Sequence, residues 1–301
     1  MNTMNSYETL VKVLSAIEKK KFDKLTADAL AGEVYLSASH LQKLFKLTCG
    51  QSLMSYVRGR KLASSLDELL NSRMRVIDIA LHYGFQHEQS YIRAFSKEYG
   101  CTPGEARDAK LILPIRERIA PEELQNLGQG FLYGPQIVKI PSFHLVGKTY
   151  AFRGFDSIRD AYEPNKVGLE FYFDAVKSIP NTVCSEVYVA ICLQMPEGWG
   201  NIEYMPCLEV KDLSRVPDGF EGKTIPPMLC ARFRYIGSHP CEEINMMTAR
   251  EIYNAKQEFF RKQTRYIEDK RIRHLERVDT RLYDGLYCQM ELIAPVEDTL
   301  R

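Results

Sequence analysis

VIDIALHYGFQHEQSYIRAFSKEYGCTP, residues 76–103, decides how this chain is read. Ile77, Ala80 and Leu81 fall at helical spacing and predict a short helix that stops at Tyr83-Gly84, where glycine supplies the backbone freedom of a sharp turn. A second helix is expected to open near His87. Its apolar residues Ile92, Phe95 and Tyr99 recur at i, i+3 and i+7 and should face a core, which turns Glu88, Gln89 and Arg93 outward. An outer face of that composition can hydrogen-bond base edges and phosphates, the chemistry of a helix-turn-helix reader. Taken alone, the same residues also suit an ordinary helical pair with a solvated face.

A second copy of the pattern lies earlier, in LTADALAGEVYLSASHLQKLFKLTCGQSL, residues 25–53. Ala31 and Ala80 are 49 apart, while Phe45 and Phe95, Gly50 and Gly100, and Ser52 and Thr102 are each 50 apart. Small, aromatic and glycine positions repeat, so the packing skeleton repeats; Gln42-Lys43 against Ile92-Arg93 shows the outer faces diverging. Ser37 is a plausible N-cap for the first reader helix, which turns Leu41, Leu44 and Phe45 inward and Ser39, Gln42, Lys43 and Lys46 outward. Between the copies, Leu53, Tyr56, Val57, Ala63, Leu66 and Leu70 mark a helix of roughly 17 residues, about 25 Å long. Major-groove faces on one side of a duplex recur about every 34 Å, so two readers on such a spacer suit adjacent turns. Ahead of them, Leu10, Val13, Leu14 and Ile17 predict a bracing amphipathic helix.

These residues resemble the AraC/XylS family of transcription regulators. The resemblance rests on KLASSLDELL from Lys61, VIDIALHYGF from Val76, the pair Tyr91 and Phe95, and GCTP at residues 100–103, and it covers about residues 5–108. It implies that both outward helix faces contact double-stranded promoter DNA, through Ser39, Gln42 and Lys43 in the first reader and Glu88, Gln89 and Arg93 in the second. RNA polymerase is an implied partner. Relatives often carry a bulkier side chain where Ser39 stands, and Glu88 would repel phosphate, so base preference does not carry over. Glu88 either accepts from a cytosine amino group or supports the helix N-terminus. His40 and His87 flank the readers without metal-ligand spacing.

Composition fits a globular chain of 301 residues, enough for two cores. The net charge of +1 hides an asymmetry: through residue 110 there are 16 Lys and Arg against 12 Asp and Glu, and after it 24 against 27. The basic part is the part with the readers. Eight cysteines form no CxxC pair, which argues against zinc and a disulfide framework. No apolar run of about 18 residues and no signal pattern is present, so a cytoplasmic protein away from membranes is expected. No cofactor is implied, and two readers in one chain leave the oligomeric state open.

Residues 109–130, with two prolines and paired glycines near the end, read as a linker. Beyond them periodicity moves from 3.6 toward 2, most clearly in SEVYVAICLQM, where Val187, Val189, Ile191 and Leu193 share a face. Strands are expected at 143–152, 186–194, 202–210, 228–236, 273–282 and 287–294. Helices are expected at 166–178, with Leu169, Tyr172, Phe173 and Val176 inward, and at 242–267. The expected fold is therefore multidomain. An all-α N-terminal domain, 1–108, carries two helix-turn-helix motifs joined by a linker helix; a linker follows at 109–130. An α+β C-terminal domain, 131–301, consists of two strand-helix-strand-strand repeats with both helices on one sheet face.

The second domain resembles the GyrI-like effector-binding domain of multidrug-sensing regulators, through IPSFHLVGKTY, IEYMPCLEV, MLCARFRYIGSH and MELIAPV in that order. In that family a buried glutamate and aromatic rings hold lipophilic drugs. The resemblance implies Glu276 in that role, with Glu291 as runner-up, and Trp199, Tyr204, Tyr150 and Phe171 as aromatic candidates. A carboxylate beside ring faces favours an organic cation, with cation–π contacts of about 2 kcal/mol when desolvated. Plain core packing explains any single ring as well, and Glu276 could instead pair with Arg273, Arg277 or Arg281. The expected function is a transcription regulator whose C-terminal domain binds a small-molecule effector. The alternatives are a hydrolase of reactive small molecules, using Glu276 with Tyr283 or Tyr204, and a protein-interaction module.

Overall fold

The computed structural model describes residues 5–127, 130–152, 162–175, 177–194, 202–239, 246–269, 272–282 and 287–300. The chain divides into two compact units, Met1–Leu124 and Gln125–Arg301. The division falls inside the expected linker, whose residues up to 124 belong to the first unit.

Among the described residues, seven α-helices build that unit: α1 (Ser6–Lys19), α2 (Ala27–Gly32), α3 (Ala38–Cys49), α4 (Leu53–Asn71), α5 (Val76–His82), α6 (Glu88–Tyr99) and α7 (Pro103–Asp108). Side-chain oxygens of Thr26, Ser37 and Ser52 cap α2, α3 and α4, and Thr102 with Glu105 forms a capping box at α7. Two equivalent corners follow from the repeat. Gly50 and Gly100 end α3 and α6 in the left-handed region, at φ 70° and 74°, and a capping hydroxyl, Ser52 or Thr102, opens the next helix two residues on. Phe45 and Phe95 are both fully buried.

Within the second copy the buried face differs by one position from the expectation. Ile79, Ala80, Tyr91 and Phe95 fill the core, whereas Ile77 and Leu81 are 38% and 54% exposed and Ile92 is half-buried. A polar anchor sets the phase: the Tyr91 hydroxyl is buried against Ser65 Oγ of α4 at 2.9 Å, with Tyr91 tilted on Phe95 at 5.8 Å. Lys61 of α4 is buried too. Its ammonium donates to the carbonyls of Asp23 and Tyr83, so it ties the stretch after α1 to the turn that closes α5.

Among the described residues the second unit is an antiparallel sheet with two α-helices. Its strands are β1 (Leu124–Leu127), β2 (Gly130–Ile140), β3 (Phe143–Gly147), β4 (Tyr150–Phe152), β5 (Val187–Gln194), β6 (Ile202–Val210), β7 (Glu221–Ile225), β8 (Met228–Gly237), β9 (Tyr266–Glu268), β10 (His274–Asp279) and β11 (Cys288–Asp298). The helices are α8 (Tyr162–Ala175) and α9 (Met246–Lys262). The sheet runs β1-β2-β8-β11-β10-β5-β6-β3-β7, with β4 on β6 and β9 on β11. The expected strand at 143–152 is thus two strands, and β2 and β7 add pairings that the alternation pattern did not delimit.

Register places both helices on one face. Leu292, Glu276, Ala190 and Pro206 are successive cross-strand partners, and such partners share a face. That face meets α9 through Leu292, Ala255 and Ile252, and α8 through Leu208, Phe171 and Ala175. The opposite face buries Val187, Val189, Ile191, Met205, Leu275 and Ile293. On α8 it is Phe171 that packs inward, while the expected Phe173 is 70% exposed. Gly168 sets that rotation, because a Cβ there would lie 2.4 Å from the Tyr188 hydroxyl and 3.1 Å from that of Tyr204.

Candidate functional site

The first reader helix, α3, presents Ser39, Gln42 and Lys46 to solvent and keeps Lys43 half-buried. Ser39 is engaged with the helix cap, its hydroxyl 3.2 Å from that of Ser37. The second, α6, exposes Gln89, Ser90, Arg93 and Lys97. Glu88 is half-buried at the first helical position, where a carboxylate complements the helix dipole; the preceding His87 makes no side-chain capping bond.

Arg93 also lines a groove of about 500 Å³ within this unit, together with Leu25, Met54, Val57, Arg58, Lys61, Gly84, Phe85, Ser90, Ala94 and Lys97. Four of those residues are basic and none is acidic. Lys61 is buried with its ammonium on backbone carbonyls, so Arg58, Arg93 and Lys97 are the exposed cations around an apolar floor, a pattern that suits sequence-independent phosphate contact. Arg58 and Lys97 were not picked out from the sequence. Their signal is spacing: Arg93 and Lys97 stand one turn apart, as do Arg58 and Lys61, so each pair shares a helix face.

In the second unit the two expected glutamates part company. Glu276 lies on the helix side of β10, its side chain 21% exposed, and none of Arg273, Arg277 and Arg281 holds it. Arg273 stacks on Tyr253, Arg277 reaches Glu291, and Arg281 pairs with Asp279. Instead the Tyr204 hydroxyl donates to Glu276 Oε2 at 3.3 Å, and Tyr204 is 2.7 Å from the Tyr188 hydroxyl. His274 Nε2 stands 3.3 Å from the other oxygen. Burial lowers the His274 pKa, which keeps the ring neutral, and pushes both tyrosines well above the usual phenol range, so they are donors and not bases. Tyr150 is the cross-strand partner of Tyr204 and joins this group.

Glu291 projects to the opposite face. It is buried and enclosed by Arg234 at 2.8 Å, Arg277 at 3.6 Å and Arg232 at 4.0 Å. Its charge is thus matched within the protein by arginines. Phe171 is buried edge-on to Phe220, 6.1 Å away, in a cluster against which Tyr188 also packs. Trp199 and Tyr283 lie outside the described residues. Among the described residues, no cluster of His, Cys, Asp or Glu is placed to hold a metal ion, and no helix is long and apolar enough to cross a membrane.

Residues 30–109 match the family model of a helix-turn-helix domain. YbfP, an HTH-type transcriptional regulator of Bacillus subtilis, is 33% identical over 102 residues, which cover 34% of this chain and 35% of YbfP. AarP, an HTH-type transcriptional activator of Providencia stuartii, is 33% identical over 92 residues, 31% of this chain and 68% of AarP. The chain therefore spans about a third of the length of the first relative and two-thirds of the second. Among solved structures, SAV2435 bound to tetraphenylphosphonium is 11% identical over 54% of this chain and 93% of that one, at a TM-score of 0.42. A likeness of that degree assigns neither fold nor ligand.

Proposed function

Because the chain belongs to the AraC family of DNA-binding helix-turn-helix transcription regulators, we propose that it is an effector-responsive regulator in which one chain lays two unequal readers on promoter DNA. The observation that carries this is the duplicated corner, with α3 and α6 ended by the same left-handed glycine and exposing different polar faces. Base reading falls to Gln42 and Lys43 in α3 and to Gln89 and Arg93 in α6. Ser39 and Glu88 contribute through helix ends. Arg58 and Lys97 supply phosphate contacts.

The second unit is the effector domain. Its two runs, β3-α8-β5-β6 and β8-α9-β10-β11, are read as duplicated halves meeting where β10 pairs with β5, the arrangement of the GyrI-like domains that the sequence resembles. Glu276 stands at that junction with Tyr204, Tyr188, Tyr150 and His274, and among the described residues no arginine pairs with it, which supports a lipophilic cation as effector. A ligand acts only through different affinity for two states of the protein, and a coupling of about 1–3 kcal/mol is the ordinary scale. The test is titration of the full chain with tetraphenylphosphonium, read by calorimetry with and without a duplex recovered from a random-sequence pool. Binding that Glu276→Gln weakens and that the duplex changes supports the reading; saturable binding indifferent to the duplex removes the coupling.

A further inference from the structure

After α7 the chain does not leave the first unit. Leu111 and Leu113 pack on the core of the second copy, and the Ile119 amide donates to the Tyr56 hydroxyl at 3.0 Å. Between them Arg116 reaches both readers at once. Its Nε and Nη2 are 2.7 and 2.6 Å from Glu98 Oε1 on α6, and its Nη1 is 2.5 Å from Gln51 Oε1, in the corner between α3 and α4. The Arg116 carbonyl accepts from Arg60, whose guanidinium grips Glu18 of α1 at 2.7 and 3.0 Å. The guanidinium lies over Gly59, where a Cβ would stand 2.4 Å from Arg116 Cδ. At 100° per residue, Tyr56, Gly59 and Arg60 occupy the side of α4 away from Met54, Val57, Arg58 and Lys61 of the basic groove, so the strap leaves that groove open.

We propose that Arg116 is a positioning residue that fixes the separation of the two readers, so that the chain selects DNA by half-site spacing as well as by base sequence. α4 already holds the second copy through Ser65 on Tyr91 and Lys61 on the Tyr83 carbonyl, and Arg116 adds a direct link from α6 to the corner that follows α3. A planar guanidinium bound to both, over a backbone that accommodates no side chain, closes the triangle with little rotamer freedom. The inference rests on the two-reader function proposed above.

The experiment uses the full chain and a duplex recovered by it from a random-sequence pool, compared with the same duplex carrying one base pair inserted between the two protected patches. That insertion moves one half-site by about 3.4 Å and about 34°. The unaltered chain is expected to lose about tenfold or more in affinity, while Arg116→Ala loses less than about threefold. Gly59→Ala, which displaces the guanidinium without removing it, should show the same tolerance, and circular dichroism checks that both variants are folded. A brace serving stability alone would weaken binding at both spacings by one factor and leave the ratio unchanged; that result overturns the proposal. Recovery of duplexes with a single protected patch overturns the two-reader function and this inference together, which separates the two failures.

Discussion

The two readers share a skeleton and differ in what they present. Phe45 and Phe95 are both fully buried, Gly50 and Gly100 adopt the same left-handed conformation, and Ser52 and Thr102 both cap the next helix. Yet α3 is capped by Ser37 and shows a neutral-to-basic face, whereas α6 has no side-chain cap, opens on Glu88 and borders the basic groove. Backbone conformation and core volume tolerate few residue types, so duplication preserves them. The solvent face answers only to what it touches, and there the copies are free to become different readers.

Substitutions at equivalent positions measure how far the two copies are alike. The largest effect is expected in the shared core: Phe45→Ala and Phe95→Ala should each lower stability by about 3–5 kcal/mol, measured by denaturant unfolding of the full chain. Costs differing several-fold would mean that the skeletons are not equivalent. On the outer faces, Arg93→Ala should cost about 1–3 kcal/mol on the selected duplex and relax sequence preference, while Lys97→Ala should weaken selected and random duplexes alike and flatten the salt dependence. A uniform loss in Arg93→Ala would demote it to a phosphate contact. The caps should separate the copies: Ser37→Ala removes a real bond to the His40 amide and should cost about 1 kcal/mol, whereas His87→Ala has no cap bond to lose. Equal costs in thermal unfolding would contradict the asymmetry. The smallest effect belongs to Glu88→Gln, about 0.3–1 kcal/mol of helix-dipole stabilisation at low salt; a larger loss confined to DNA affinity would make Glu88 a reader of bases.

Much of the first unit was legible in the sequence, because a 50-residue period, a turn glycine and capping hydroxyls are local signals. The phase of α6 was not, since Tyr91 is held inward by a hydrogen bond to Ser65, 26 residues away. Nor was the strap: residues 109–130, with two prolines and charged residues, read as a linker, whereas Leu111, Leu113, Arg116 and Ile119 dock on the first unit. In the second unit alternation located β5, β6, β8, β10 and β11, but could not say which sheet face each carboxylate would take. Glu276 and Glu291 lie on neighbouring strands, and register alone sends one to the tyrosines beside the helices and the other into three arginines. An aromatic on a helix reads the same whether it meets a ligand or a core, and burial of Phe171 against Phe220 is visible only in the fold.

In the proposed function one chain carries two separately acting readers. Hydroxyl-radical footprinting of the full chain on the selected duplex tests it directly. Two protected patches about one helical turn apart are expected, with Arg93→Ala weakening one and a Gln42→Ala, Lys43→Ala double variant weakening the other. A single patch, or both patches lost together in either variant, would contradict it.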